Sequence, residues 1–216
     1  NTDKTELEFD DNFNVIDMSD DGYEGAIVLI PTPGIYVDTP IAVLDFASLY
    51  PSEMIAGNIS HDSYCENEYW LGEEGGKRIR ALGHDFEDRT YDILSWVDPT
   101  NKSKGKYKTG EQTDRFVIYA NGEKGLLPKI SNKLLDARKA TKKDMKSEKD
   151  PFNYGVLDGR QLAFKVTGNS LYGQLGADTS KIYKKPLAAS ITFGGRKCIY
   201  RARDYVLKNN PGCEII

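Results

Sequence analysis

Histidine and cysteine are scarce in this chain, and long apolar runs are missing. Its 216 residues hold two histidines, His61 and His84, and three cysteines, Cys65, Cys198 and Cys213. The histidines are too few and too scattered for a metal cluster. The cysteines, odd in number and widely spaced, exclude a disulfide framework and a zinc site, and they suit a reducing compartment. No apolar run approaches the roughly 20 residues that span a bilayer. The chain opens without the charged-then-apolar pattern of a signal peptide, so an intracellular protein with no membrane partner is expected.

The composition is that of a globular protein, 39% hydrophobic and 29% charged, with room for one large domain or two small ones. A net charge of −4 speaks against binding nucleic acid when taken as an average, but the charge is unevenly placed. Between Lys129 and Lys149 stand eight basic residues against three acidic ones, a local +5 that leaves −9 for the rest. Such a pattern suits phosphate at one place and cations at another, or simply a solvated helix face.

The most informative stretch is Asp45-Phe46-Ala47-Ser48-Leu49-Tyr50-Pro51-Ser52. Pro40–Leu44 before it reads as a buried strand, and Pro51 suits the first turn of a helix. Strand, carboxylate, tight turn and helix in that order place an acid beside several backbone N–H groups. The acid can hold a hard cation and the amides can hold phosphate oxygens. Taken alone, Asp45 reads equally as a helix N-cap, and Tyr50 as an ordinary core tyrosine.

Elsewhere the pattern predicts a loop or cut end over 1–24, a strand over Gly25–Ile30, and a turn at Pro33-Gly34. The helix after Tyr50 ends at Gly57-Asn58. Residues 65–113 carry little pattern beyond one strand near Tyr91–Val97, and Phe116–Tyr119 is a further strand. Ile130, Leu134, Thr141 and Met145 are spaced for a helix that starts near Pro128 and stops at Asp150-Pro151. A second helix spans Asp158–Gly173, with Asp158, Gln161, Lys165, Asn169 and Tyr172 on one face. Phe164, Thr167 and Leu171 lie on the other face and are expected to pack against the first helix. Two such helices form an antiparallel hairpin. A third helix covers Leu187–Leu207, and Cys213–Ile216 reads as the start of a strand.

Arg138 and Lys142 are one turn apart and point the same way. With Lys165 from the partner helix they would gather three cations around a triphosphate. Asn169, on spacing alone, reads equally as a residue that caps or bends its helix.

Asp45–Ser52 resembles the first catalytic motif of family B DNA polymerases, and Lys165-Val166-Thr167-Gly168-Asn169-Ser170-Leu171-Tyr172-Gly173 resembles the second. Gly125–Pro128 with Leu134–Lys142 is similar to the family's first fingers helix. The resemblance covers residues 25–216, with wording most like the polymerases of large DNA viruses. It implies an α+β fold: a partial palm, an antiparallel sheet with helices, plus a two-helix fingers hairpin. Palm would run over 25–125 and 176–216, and fingers over 126–175. It implies dNTP addition to a primer 3′-OH on primer–template DNA, with two Mg²⁺ ions. Asp45 and the Phe46 carbonyl would hold metal, while Ser48, Leu49 and Tyr50 would meet the β- and γ-phosphates. Arg138 and Lys142 would serve the γ-phosphate, and Lys165 the reacting phosphate. Asn169, Tyr172 and Gly173 would lie against the base pair, and Tyr50 would exclude a ribose 2′-hydroxyl.

The family's second carboxylate motif, a Tyr-Gly-Asp-Thr-Asp-Ser hairpin, does not occur in the sequence. The resemblance therefore implies a fragment, inactive by itself, whose partners are the remaining exonuclease, palm and thumb regions and a processivity factor. Two other readings stay open: a non-catalytic nucleic-acid-binding module with a basic hairpin, and an RNA-synthesising nucleotidyltransferase, which Tyr50 disfavours.

Overall fold

The computed structural model describes residues 8–9, 15–16, 22–27, 29, 32–37, 40–98, 101 and 104–216. Two compact units are present, one of residues 1–24 and 90–113, the other of residues 25–89 and 114–216.

In the first unit, the expected loop over 1–24 holds short strands. β1 (Glu8–Phe9) pairs antiparallel with β2 (Val15–Ile16). β3 (Gly22–Tyr23) pairs antiparallel with β4 (Asp85–Trp96), Gly22 opposite Leu94. β4 and β5 (Lys106–Ile118) complete a three-stranded sheet in the order β3-β4-β5. β4 and β5 both exceed their sequence expectation, because Lys–Asp and Lys–Glu pairs such as Lys108 with Asp92 and Glu111 hide the apolar alternation.

The second unit is mostly helical: α1 (Leu49–Ala56), a 3₁₀ turn (Glu68–Trp70), α2 (Gly72–Ala81), α3 (Leu126–Ser147), α4 (Pro151–Gly176) and α5 (Lys185–Asn209). α2 falls in the stretch that carried little pattern. Gly75 and Gly76 within it read as loop formers, yet both serve close packing. A Cβ on Gly75 would lie 2.2 Å from the Trp70 backbone, and one on Gly76 would lie 2.7 Å from the Phe86 ring. Arg115 then fastens this region. Its guanidinium donates twice to Asp88 at 2.6 Å and to the carbonyls of Trp70 and Gly72, and it stacks on Phe86.

α4 begins at Pro151, seven residues before the expected start. Asp150 accepts the Asn153 N–H at 2.9 Å, so Asp150-Pro151 opens the second helix rather than merely closing the first. Along one side of α3 the buried or half-buried residues Leu127, Ser131, Leu134, Arg138, Thr141 and Met145 follow one another at spacings of four and three. Leu157, Gln161, Phe164, Gly168, Leu171 and Leu175 make the matching stripe on α4. Stripes of this spacing pack two helices nearly antiparallel. Gln161 therefore sits on the packed side with Phe164 and Leu171. Thr167, expected there, is exposed.

The base of the hairpin is held by a single loop after α1. Asn58, fully buried and at φ 51°, accepts the Gly125 N–H at 2.7 Å and donates to the Val117 carbonyl. Asp62 accepts the Leu126 N–H at 3.1 Å, and the Ser60 hydroxyl accepts that of Leu127 at 3.2 Å. Three orphan donors at the start of α3 are satisfied from residues more than sixty positions away. Ser63 and Cys65 continue this loop along the end of β5 with backbone bonds to Val117 and Arg115.

Partial burial by itself would raise the Asp62 carboxyl. Hydrogen bonds from Ser60, from the Leu126 N–H and from its own N–H, with the nearby charge of Lys129, outweigh that and hold it below its ordinary value of 3.8. A depressed carboxyl stabilises the fold fully above 3.8 and loses that contribution as the pH falls through the lower folded value. Asp62→Asn is therefore expected to weaken the acid-induced opening of the α3 start, read from hydrogen exchange of the Leu126 amide against pH.

Candidate functional site

Pro40–Leu44 does not form the expected strand, and it is not buried. Ile41, Val43 and Leu44 are exposed, Val43 by 89%, and no strand among the described residues pairs with them. A strand exists only through its ladder partners, which apolar content cannot supply. Among the described parts of Gly25–Ile30 there is likewise no strand; Val28 and Ile30 fall outside them. Cys213–Ile216 also carries no strand, for the same want of a ladder partner.

The turn that follows is the expected one. Ala47 and Ser48 turn the chain, and Ser48 takes the left-handed conformation at φ 55°, ψ 54°. Such a conformation is uncommon in a residue with a side chain and marks a constrained site. α1 starts at Leu49, with the Ser52 N–H returning to the Ser48 carbonyl at 3.0 Å and Pro51 buried in the first turn. Ser48 occupies the cap position without a side-chain bond, so Asp45 is not the helix cap. Asp45 and Phe46 stand exposed just before the turn.

Two of the predicted site residues meet. The rings of Tyr50 on α1 and Tyr172 on α4 lie 4.3 Å apart between centroids, tilted by 36°. Motifs more than a hundred residues apart in sequence thus touch through aromatic faces. The Arg138 Nε donates to the Gln161 Oε1 at 3.2 Å, and the Gln161 amide donates to Asp158 at 3.0 Å. Arg138 is half-buried, while Lys142, Lys165, Asn169 and Gly173 are exposed. None of Arg138, Lys142 and Lys165 is paired with a carboxylate among the described residues, so their charge is not cancelled locally. Asn169 neither caps nor ends its helix, which runs on to Gly176.

The foundation of α1 was not visible in the sequence. Glu53 and Arg89 form a buried ion pair at 3.0 Å, their side chains 13% and 6% exposed. Arg89 also donates to the Ser190 carbonyl and pairs with Glu87 at 2.9 Å, and the Cys198 thiol donates to Glu53 at 3.2 Å. The Ser190 hydroxyl donates to Asp114 at 3.2 Å, whose other oxygen accepts from Tyr64. Burial, reinforced by Asp114, pushes the Tyr64 phenol up, and burial with the neighbouring Glu53 raises the Cys198 thiol. α5 comes so near that a Cβ on Gly194 would lie 1.9 Å from Glu53 Oε2. The signal available beforehand was an acid, Glu53, set among Pro51, Met54 and Ile55 where a core face was due.

Among the described residues no group of three or more His, Cys, Asp or Glu gathers to hold a metal. A cavity of about 420 Å³ lined by Gln174, Ala177, Thr179, Ser180, Lys181 and Ile182 contains none of the predicted site residues.

The sequence model of DNA polymerase family B matches residues 6–215, and the chain belongs to that family. It is 39% identical over 240 residues to a DNA polymerase of Pyramimonas orientalis virus, covering 91% of this chain and 19% of that one. It is 40% identical over 184 residues to the DNA polymerase delta catalytic subunit of Dictyostelium discoideum, covering 85% and 14%. The solved family B DNA polymerase of the hyperthermophilic archaeon Pyrobaculum calidifontis is 29% identical with a TM-score of 0.54, over 87% of this chain and 20% of that one. The chain thus spans about a fifth or less of the length of these relatives.

Glu53→Ala would leave buried Arg89 with only the more exposed Glu87 as an acid partner and is expected to cost about 3 kcal/mol in denaturant unfolding. Glu73→Ala, at an exposed acid paired with Lys77, should cost well under about 1 kcal/mol in the same measurement.

Proposed function

We propose that this chain supplies the nucleotide-selecting part of a template-directed DNA polymerase, the kind of enzyme its relatives are named for. The observation that carries the reading is the Tyr50–Tyr172 contact, which joins the Asp45 turn to the helix of Lys165 and Asn169. In this reading residues 25–125 and 176–216 belong to the palm and 126–175 are the fingers. The substrates are primer–template DNA and dNTPs, the remaining polymerase regions are partners, and the setting is intracellular.

Asp45 is a hard oxygen ligand, exposed, with the Phe46 carbonyl next to it, which fits part of a Mg²⁺ coordination sphere. One carboxylate is an incomplete set, and a further acid together with substrate phosphates would finish it. Two Mg²⁺ ions, when bound, would supply charge neutralisation at the attacking and leaving oxygens. The chain's own residues do the rest. The N–H groups of Ser48, Leu49 and Tyr50 receive the β- and γ-phosphates. Arg138, turned by Gln161, and Lys142 bind the γ-phosphate end, and Lys165 offsets charge at the reacting phosphate. Tyr50 fills the room a 2′-hydroxyl needs, which rejects ribonucleotides by lack of space. Asn169, Tyr172 and Gly173 lie against the nascent pair. Cations on a helix pair remote in sequence from Asp45 suit a lid that completes the site when a matched nucleotide is present.

One observation favours the alternative, a non-catalytic nucleic-acid-binding module: the absence of a carboxylate cluster among the described residues. That module would bind DNA independently of Mg²⁺ and nucleotide, with a steep salt slope. In a catalytically complete polymerase that contains residues 1–216, Lys165→Ala is expected to slow single-nucleotide incorporation about 100-fold or more. Primer–template affinity should stay nearly constant. Equal losses in both, measured by rapid quench and by DNA titration, would support the binding module instead.

A further inference from the structure

Tyr50 is bounded by two helices at once. Its ring meets Tyr172 of α4, and it also backs onto α5 at a position where the residue is glycine. A Cβ on Gly195 would lie 3.1 Å from Tyr50 Cε1, 3.4 Å from Leu49 Cδ2 and 3.7 Å from Tyr50 Cδ1. Carbon atoms settle at about 3.5–4.0 Å, so a single methyl group at 195 requires the ring to move by a few tenths of an ångström.

The backbone of α1 has little freedom to retreat in its place. Pro51 and Met54 are buried, and the Glu53–Arg89 pair holds the middle of the helix against the carbonyl of Ser190. Displacement therefore falls on the Tyr50 side chain. We infer that Gly195 and Tyr172 are positioning residues for sugar selection: by bounding the Tyr50 ring they set how much room a ribose 2′-hydroxyl would find.

This rests on the reading of Tyr50 as the group that occupies the 2′-hydroxyl space. Selection by filled space depends steeply on where the filling group stands, and it differs between sugars that share every other contact. A shifted ring therefore changes the ratio of dNTP to rNTP use, mainly through KM, without removing any group that touches the reacting phosphate.

The test compares kcat and KM for a dNTP and the matching rNTP opposite one template base, in a catalytically complete polymerase that contains residues 1–216. Gly195→Ala is expected to lower sugar discrimination about fivefold or more, most of it in KM. Gly155→Ala, also in a helix but with nothing within 4 Å of its Cβ, is the control and should leave the ratio unchanged. Tyr50→Ala separates the two claims. If it keeps full discrimination, the reading of Tyr50 falls and the inference falls with it. If Tyr50→Ala loses discrimination and Gly195→Ala keeps it, the inference alone is overturned. Should Gly195→Ala not fold, Tyr172→Phe and Tyr172→Leu replace it. The phenylalanine keeps the ring contact and is expected to retain discrimination, while the leucine is expected to lose it. Equal discrimination in both overturns the inference.

Discussion

The Glu53–Arg89 ion pair is the constraint on which the second unit depends. Two opposite charges taken out of water are tolerated only when their hydrogen-bonding capacity is almost fully used. Here that demand draws in Glu87, the Ser190 carbonyl and the Cys198 thiol. Each partner comes from a different place: α1, the start of β4, and two turns of α5. The pair is thus a junction more than a bond, and it requires α5 to present glycine where its backbone crosses. The strained Ser48 turn and the Tyr50 ring sit one turn above this junction. A left-handed serine costs of order 1 kcal/mol, and a rigid footing beneath α1 offsets it.

The helix pair has a separate footing. Asn58, Ser60 and Asp62 do not merely follow α1; they cap α3, so the end of one element is wired to the start of another. The fully buried Asn58 uses both ends of its amide and leaves no polar atom of that amide unpaired. The base of the hairpin and the floor of the turn are consequently one continuous structure, while the tip near Asp150 is tied by local bonds, the Asp150 cap and the Glu148 carboxylate that accepts the Lys149 and Asp150 N–H groups. In the reading proposed for this chain, such an arrangement lets the far end move about a fixed root.

Much of this was legible from residues alone. The Asp45–Ser52 string places the turn, and the three long helices follow from apolar spacing and from prolines near their ends. What stayed hidden shares one physical cause: it is set by partners distant in sequence. α2 was obscured because Gly75 and Gly76 lower helix propensity for the sake of contact with Trp70 and Phe86. Arg89 lies in a strand whose alternation gives no hint that a cation should face inward. Pro40–Leu44 shows the opposite error, since apolar and β-branched content predicted a strand that has no neighbour among the described residues. The side of α4 that packs was misjudged for a related reason. A polar Gln161 was placed with the exposed residues, although Arg138 makes it welcome in the seam.

That seam carries one more implication. Along α3 and α4 the facing positions are apolar or small except for Arg138 opposite Gln161. An all-apolar zipper between two helices is indifferent to sliding by a heptad, because each knob finds an equivalent hole. A lone polar couple removes that indifference, since any slipped alignment would press a guanidinium against leucine or phenylalanine with no acceptor. The two helices are thereby indexed to each other like teeth on a vernier, and the axial distance between the α3 cations and Lys165 on α4 is set at a single value.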